Sequence, residues 1–328
     1  MIPAELTPFE IALLLYPGIQ IAALHGLTDL FALANREAAA RSTGAPRLRV
    51  AHWARLDDGS FARGFDTDPG RGGTPRVVIL PPTLNEPVDR KVAAPYAPWL
   101  KAQHAAGATL GSVCAGAFVL AESGVLAGRT ATTHWAYAEA LATRFPEVQV
   151  DPDKLVIDDG DIITAGGYMA WTDLGLKLVE RVLGPSVMMA TARFMLVDPP
   201  GREQRFYSPF APPLRHGDKA VLKVQHWLRD QHAKDVHLPD MAAQAGLEER
   251  TFLRRFRKAT GMKPIEYCQY VRVGKAREML EHSPSTVEQI AREVGYEDAG
   301  AFRRVFAKVT GLSPGDYRRR FAPGLAEA

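Results

Sequence analysis

Along the first two hundred residues, short uninterrupted apolar runs alternate with longer stretches in which apolar positions recur every three or four residues. The runs IALLLYP, LRVAHWARL, RVVILPP and ATLGSVC read as strands, the first closed by Pro17 and Gly18. A stretch from about Ala22 to Ala40, the small-residue segment AGAFVLAESG after Cys114, and WTDLGLKLVERVLG, closed by Gly184 and Pro185, carry the helical period. KLVIDDGDIITAGG reads as a hairpin that turns at Asp-Gly. Parallel neighbours need a crossover helix, and the crossovers cover both faces of the sheet. The alternation therefore predicts an α/β doubly wound fold.

The period changes near Asp218, after which KAVLKVQHWLRDQ opens a region that is helical to the end of the chain. One pattern is written twice there, as GLEERTFLRRFRKATGMKPIEY and GYEDAGAFRRVFAKVTGLSPGDY. Phe252, Arg254, Phe256, Lys258, Thr260, Gly261, Pro264 and Tyr267 recur at a constant shift as Phe302, Arg304, Phe306, Lys308, Thr310, Gly311, Pro314 and Tyr317. Each copy follows an apolar-patterned helix, LPDMAAQAG or TVEQIAREVG, that ends on a glycine suited to a left-handed cap. Helix, glycine turn, helix is the helix-turn-helix pattern, so residues 218–328 form an all-α domain with two such units. The connector PIEYCQYVRVGKAREMLEHS is helical throughout and about 27 Å long, which suits two reading helices set about one DNA turn apart. Residues 199–217, PPGREQRFYSPFAPPLRHG, hold five prolines and little periodicity, and are expected to be a semi-extended linker after a first domain of residues 1–198.

Charge sharpens this division. The net +3 is made of 20 basic against 23 acidic residues up to Asp218 and 20 against 14 from Lys219 onward, so the halves carry about −3 and +6. A basic second half suits a polyanion partner. The two cysteines, Cys114 and Cys268, fall in different domains and make no disulfide framework. No apolar run is long enough to span a membrane and no secretory leader is visible, so a soluble cytoplasmic protein with no membrane partner is expected. No metal-ligand spacing and no phosphate-binding glycine motif after a strand occurs, and no metal or cofactor is expected.

In the first repeat Phe252 and Phe256 face the module's core, while Arg250, Leu253, Arg254 and Arg257 form the opposite stripe. In the second, Phe302 and Phe306 face inward and leave Gly300, Arg303, Arg304 and Ala307 outside. Guanidinium forks pair with guanine edges, which makes Arg254 and Arg304 the first candidates for reading bases, with Arg250 and Arg303 next. Lys258, Lys308 and the run Arg318, Arg319, Arg320 suit phosphates, and Tyr267 and Tyr317 suit packing. In the first domain Cys114 lies where a strand turns sharply into a helix. Such an elbow pushes a side chain toward a helix N-terminus, which lowers a thiol pKa. Cys114 reads either as a pocket-lining thiol or as a small buried hydrophobe. His134, in TATTHWAY, is placed to reach the same crevice. Trp135, Tyr168, Trp171 and Asp173 read as core and capping residues or as walls able to meet a cationic or amide metabolite.

Residues 218–321, above all AxxxGYEDAGAFRRVFAKVTGLSPGDYRRRF, resemble the AraC-type transcriptional regulators, whose C-terminal domain is two helix-turn-helix units joined by a long helix. YPGIQIAALHGLTDLFALAN, SVCAGAFVLAESGVLAGRTATTHW and ITAGGYMAWTDLGLKLVE resemble the DJ-1/PfpI superfamily, which implies a flavodoxin-like, class I glutamine amidotransferase-like fold, and the combination is similar to the GlxA-type regulators. Carried over position by position, the resemblance makes Cys114 the elbow nucleophile and His134 its histidine, and puts Ala23 where relatives carry a carboxylate. Pro81 and Pro82 stand where the enzymes have a glycine-rich, N–H-donating loop, and proline has no N–H. Asp29 lies two turns further along the helix than the missing acid. The resemblance thus implies a sensor without catalysis, with an effector pocket drawn from Cys114, Ala115, His134, Trp135, Pro82 and Tyr168. It implies double-stranded DNA, a small-molecule effector, RNA polymerase and a second copy through the first domain as partners, and activation over repression. The alternatives are a thiol-dependent amidase or glyoxalase tethered to DNA, and a DNA-bound scaffold whose first half only dimerises.

Overall fold

Alternate residues along the central strands enter two different cores, as period-two side chains on a twice-covered sheet must. Ile11, Leu13, Val77 and Ile79 join one core, and Ala12, Leu14, Val78 and Leu80 the other. The computed structural model describes residues 8–42, 44–70, 72–214, 216–322 and 324. It divides into two compact units, one ending at Gln204 and one starting at Arg205.

In the first unit, β1 (Phe9–Leu15), β2 (Leu48–Arg55), β4 (Val77–Leu80), β5 (Thr109–Val113) and β9 (Ile162–Ala165) are parallel, in the order β2-β1-β4-β5-β9. This is the doubly wound order expected, with its switch point between β1 and β4. Antiparallel strands close both edges: β3 (Phe61–Asp66) pairs with β2, and β8 (Val156–Asp158) pairs with β9 through the expected turn at Gly160. A minor pair, β6 (Thr130–Ala131) and β7 (Gln149–Val150), stands apart from the sheet. Helices α1 (Ile21–Ala39), α6 (Trp171–Leu183) and α7 (Pro185–Met195) pack on one another over the first core. The second core holds residues of α2 (Arg90–Ala93), α3 (Ala97–Ala105), α4 (Gly116–Glu122) and α5 (Ala138–Arg144). The α1 and α6 helices approach closely at Gly26, where the Trp171 indole fills the space a Cβ would need.

Strand β3 has no counterpart among the expected elements. It is held by charge as much as by pattern. Glu10, buried on β1, accepts from the Arg63 guanidinium at 2.9 and 3.1 Å, and buried Arg49 on β2 pairs with both Glu10 and Asp66.

The second unit is helical: α8 (Lys219–Asp230), α9 (Leu238–Ala245), α10 (Glu249–Thr260), α11 (Pro264–His282), α12 (Val287–Glu293), α13 (Ala299–Thr310) and α14 (Pro314–Phe321). Two small cores alternate with the repeats. Phe252, Phe256 and Tyr267 belong to one, and Phe302, Phe306 and Tyr317 to the other. The Thr-Gly pair ends each reading helix in the same way. Thr260 and Thr310 donate to the carbonyls of Phe256 and Phe306, while Gly261 and Gly311 take the left-handed cap at φ 75° and 80°.

The proline-rich stretch is not a free tether. Its first part is held in the first unit, where Arg202 meets buried Asp173 at 2.5 Å and Gln204 is 2% exposed. From Arg205 onward it lies on the second unit, where Phe210 packs on Tyr267 and Tyr270 and the Pro213 carbonyl accepts from Gln225. Prolines mark where helix and sheet stop; they do not mark where side-chain packing stops.

Candidate functional site

At the end of β5 the chain turns through Cys114 with φ +53°, a left-handed conformation uncommon for a residue with a Cβ. The turn is held from both sides. The Cys114 N–H donates to the Ala165 carbonyl at 2.7 Å, and its carbonyl accepts from the Thr133 hydroxyl at 2.8 Å. Gly116 opens α4 against the end of β4, where an added Cβ would press on the carbonyl oxygens of Leu80 and Pro81. The Tyr16 hydroxyl donates to the Pro81 carbonyl, and the Pro82 carbonyl accepts from the Gln20 N–H at 2.7 Å. In place of the N–H donors of an oxyanion site, this loop presents carbonyls already engaged by neighbours.

The electrostatics of the elbow run opposite to the expected activation. Cys114 is 2% exposed, and burial pushes its thiol up to about 11 against the weaker pull of the Ala115 and His134 backbone N–H groups. Desolvation of the anion outweighs both backbone hydrogen bonds. His134 is half-buried, its Nδ1 accepts from the Ala136 N–H at 3.1 Å, and burial lowers its pKa. The neutral ring then carries its proton on Nε2. Ala23, at the position of the family's acid, is fully buried in the same core as Cys114 and Ala115, and Asp29 is exposed. Trp135 and Tyr168 are half-buried near the elbow's end of the sheet, whereas Trp171 belongs to the core. Asp173 is not open to a metabolite: its carboxylate is taken by Arg202 at 2.5 and 3.3 Å and by the Thr172 hydroxyl.

On the second unit the reading helices present the expected faces. Phe252, Phe256, Phe302 and Phe306 are fully buried. Arg250, Leu253, Arg254, Arg257 and Lys258 are exposed, as are Arg303, Arg304 and Lys308, with Gly300 and Ala307 half-buried. Among the described residues Arg250, Arg254 and Arg257 have no ion-pair partner. Arg303 meets Glu288 of α12, and Arg304 lies 3.7 Å from Asp298. Asp298 caps α13 by accepting from the Gly300 and Ala301 N–H groups, which lowers its pKa, whereas α10 starts without a side-chain cap. His216, Lys219, Arg254 and Lys258 line a cleft of about 720 Å³ in which Asp218 grips Arg255 at 2.7 and 2.9 Å. The closing arginines differ in their partners, and Arg319 and Arg320 are exposed. Arg318 donates to the carbonyls of Leu280, Ser283 and Ser285 at the end of α11, Arg319 pairs with Asp316, and Arg320 donates to the Tyr207 hydroxyl. Free carbonyls at a helix C-terminus attract a cation as well as phosphate does.

Residues 74–181 match the DJ-1/PfpI family, and residues 241–320 match a helix-turn-helix domain. The HTH-type transcriptional regulator GlxA of Rhizobium meliloti is 30% identical over 217 residues, 65% of this chain and 66% of that protein. The chain belongs to the regulators that join a DJ-1/PfpI domain to an AraC-type helix-turn-helix domain. In the same class, the HTH-type transcriptional regulator CdhR of Pseudomonas aeruginosa is 28% identical over 234 residues, covering 70% of this chain and 68% of that one. GbdR of the same organism is 24% identical over 236 residues, at 71% and 63%. The chain thus spans about two thirds of the length of these relatives.

Two residues of this DJ-1/PfpI–AraC chain went unread in the sequence. Gln204, beyond the family match, sends its amide among the loops that hold the elbow. Its Nε2 donates to the Thr132 hydroxyl and to the Thr133 and Lys154 carbonyls at 2.8–3.0 Å, and its Oε1 accepts from the Trp135 N–H at 3.2 Å. Gly166 leaves the room for it, since a Cβ there would collide with the Gln204 amide. Arg277, inside α11, is 9% exposed and donates to the carbonyls of Arg205, at 2.6 Å, and of Ser208. Neither lies in a motif; Arg277 alone carried a signal, an arginine on the apolar stripe of Val273, Ala276 and Leu280.

Proposed function

We propose that the chain is a sequence-specific transcription activator, working in the cytoplasm, whose DJ-1/PfpI unit binds a small metabolite without turning it over. The observation that carries this reading is the duplicated helix. Two Phe-anchored cores present Arg250, Arg254 and Arg257 on one helix and Arg303 and Arg304 on the other, ready to meet a groove. Arg254 and Arg304 read bases, Arg250 and Arg303 flank them, Leu253 and Gly300 complete the contact faces, and Lys258 and Lys308 bind phosphates. The effector site is built of Cys114, Ala115, His134, Trp135, Pro82 and Tyr168. RNA polymerase and a second copy, joined through the first unit, are its protein partners. The effector acts by binding one of two states more tightly, and its coupling to DNA is reciprocal.

The test is selection of duplexes by the full-length protein from a random pool, followed by binding across salt concentrations. An enriched sequence with steep salt dependence supports the reading, and equal binding to selected and random duplexes overturns it. The strained turn at Cys114 keeps a second reading in play, a thiol enzyme on DNA. It requires turnover of amides or of glyoxals that Cys114→Ser abolishes, and none is expected.

A further inference from the structure

Two consecutive residues are anchored in different units. Gln204 is bolted to the elbow of the first unit by four hydrogen bonds, three through its amide nitrogen and one through its oxygen. The atoms it holds belong to Thr132, Thr133, Lys154 and Trp135, and Thr133 in turn holds the Cys114 carbonyl while the His134 N–H faces the thiol. Arg205, the next residue, gives its carbonyl to Arg277 and its guanidinium to the Lys308 carbonyl at 3.3 Å, near the end of α13. Its neighbours stay on the same surface: Phe206 lies against Gly311, and Tyr207 meets Phe321 edge to face with the Arg320 guanidinium over its ring. Further on, Phe210 and Pro213 reach Tyr267 and Gln225 of the first repeat. The segment 205–213 thus touches both helix-turn-helix units and crosses α11 at Arg277.

We infer that Gln204 and Arg277 are positioning residues which couple the effector elbow to the DNA-reading helices through this segment. The proposal rests on the regulator reading. A loop change at 132–135 pulls on Gln204, because three of the four hydrogen bonds of its amide go to that loop. One peptide bond later the same displacement acts on the carbonyl that Arg277 holds, at the connector between the two repeats. Thermodynamic reciprocity makes the route testable without knowing the effector. DNA binding must then be felt at the elbow.

The probe is a duplex selected by the full-length protein, and the readout is hydrogen exchange of residues 130–136, where the Trp135 amide donates to Gln204 itself. In the native chain, saturating duplex should change exchange of this segment by about fivefold or more, the low end of ordinary coupling. Gln204→Ala should remove that response while leaving duplex affinity within about twofold. Because that variant also removes buried hydrogen bonds, a second one inserts two glycines between Gln204 and Arg205, keeping every anchor and adding slack; it should remove the response equally. A response that survives both changes, or is absent in the native chain although the duplex binds tightly, overturns the coupling. Failure to select any duplex would instead overturn the regulator reading.

Discussion

Cys114 offers a direct measurement of whether the elbow is an activated nucleophile. Its thiol is buried and titrates at about 11, against about 8.5 for an ordinary cysteine. At pH 7 the thiolate is then on the order of one part in 10⁴, compared with about one in 30 for a free thiol. Alkylation proceeds through the thiolate, so Cys114 in the native protein should react two to three powers of ten more slowly than glutathione, before occlusion is counted. The assay is iodoacetamide labelling of the full-length protein from about pH 6 to about pH 10, with the Cys114 and Cys268 peptides quantified separately. Cys268, also pushed up to about 11 by burial, serves as an internal comparator. Its rate and that of Cys114 should climb about tenfold per pH unit with no plateau below about pH 10. A Cys114 rate that levels off below about pH 8, or that exceeds the free thiol at neutral pH, refutes the argument that burial outweighs the backbone N–H groups at the elbow. The sign for stability follows. The folded state keeps a proton that the unfolded chain gives up above about 8.5, so the contribution is full below that pH and is lost as pH rises toward about 11.

Four further outcomes are expected. Asp173→Asn removes the charge that holds Arg202. A buried pair broken on one side costs about 3–5 kcal/mol, and with Arg202 27% exposed about 2 kcal/mol is expected, lowering the first unit's melting temperature by roughly 4–8 °C; an unchanged melting curve counts against the anchor. Gly274 lies inside α11 with open space where a Cβ would go, so Gly274→Ala should stabilise the second unit by about 0.5–1 kcal/mol in denaturant unfolding, and any loss shows that the connector needs its glycine. Phe306→Ala empties the second repeat's core and should cost that unit about 3–5 kcal/mol, read by circular dichroism during unfolding. Arg304→Ala should cost about 1–3 kcal/mol at one base position of the selected duplex, and an unaltered base preference rejects its role.

How far the sequence could be read depended on whether the decisive interactions were local. Buried parallel strands such as Val77–Leu80 and Thr109–Val113 read directly as apolar runs, and the Phe, Thr-Gly and Tyr frame of the repeats fixed both helix-turn-helix cores. Strand β3 did not read, because Arg63 and Gly64 break its alternation and its partners, Glu10 and Arg49, lie far away in sequence. Helix α7 was hidden by Pro185, taken as a stop although proline is equally at home in a first turn. The thiol's protonation depends on how much of the fold covers it, which no motif records. Arg318 and Asp173 look free on paper and are spent in the fold on backbone carbonyls and on Arg202.

The division of the proline-rich stretch has a practical corollary for anyone wishing to separate the halves. A cut near residue 198 would leave Asp173 with no guanidinium and vacate the buried slot beside Thr132, while a start near 218 would strip Arg277 and Gln225 of their carbonyl partners. Only scission of the peptide bond between Gln204 and Arg205 leaves each fragment with its own anchors intact.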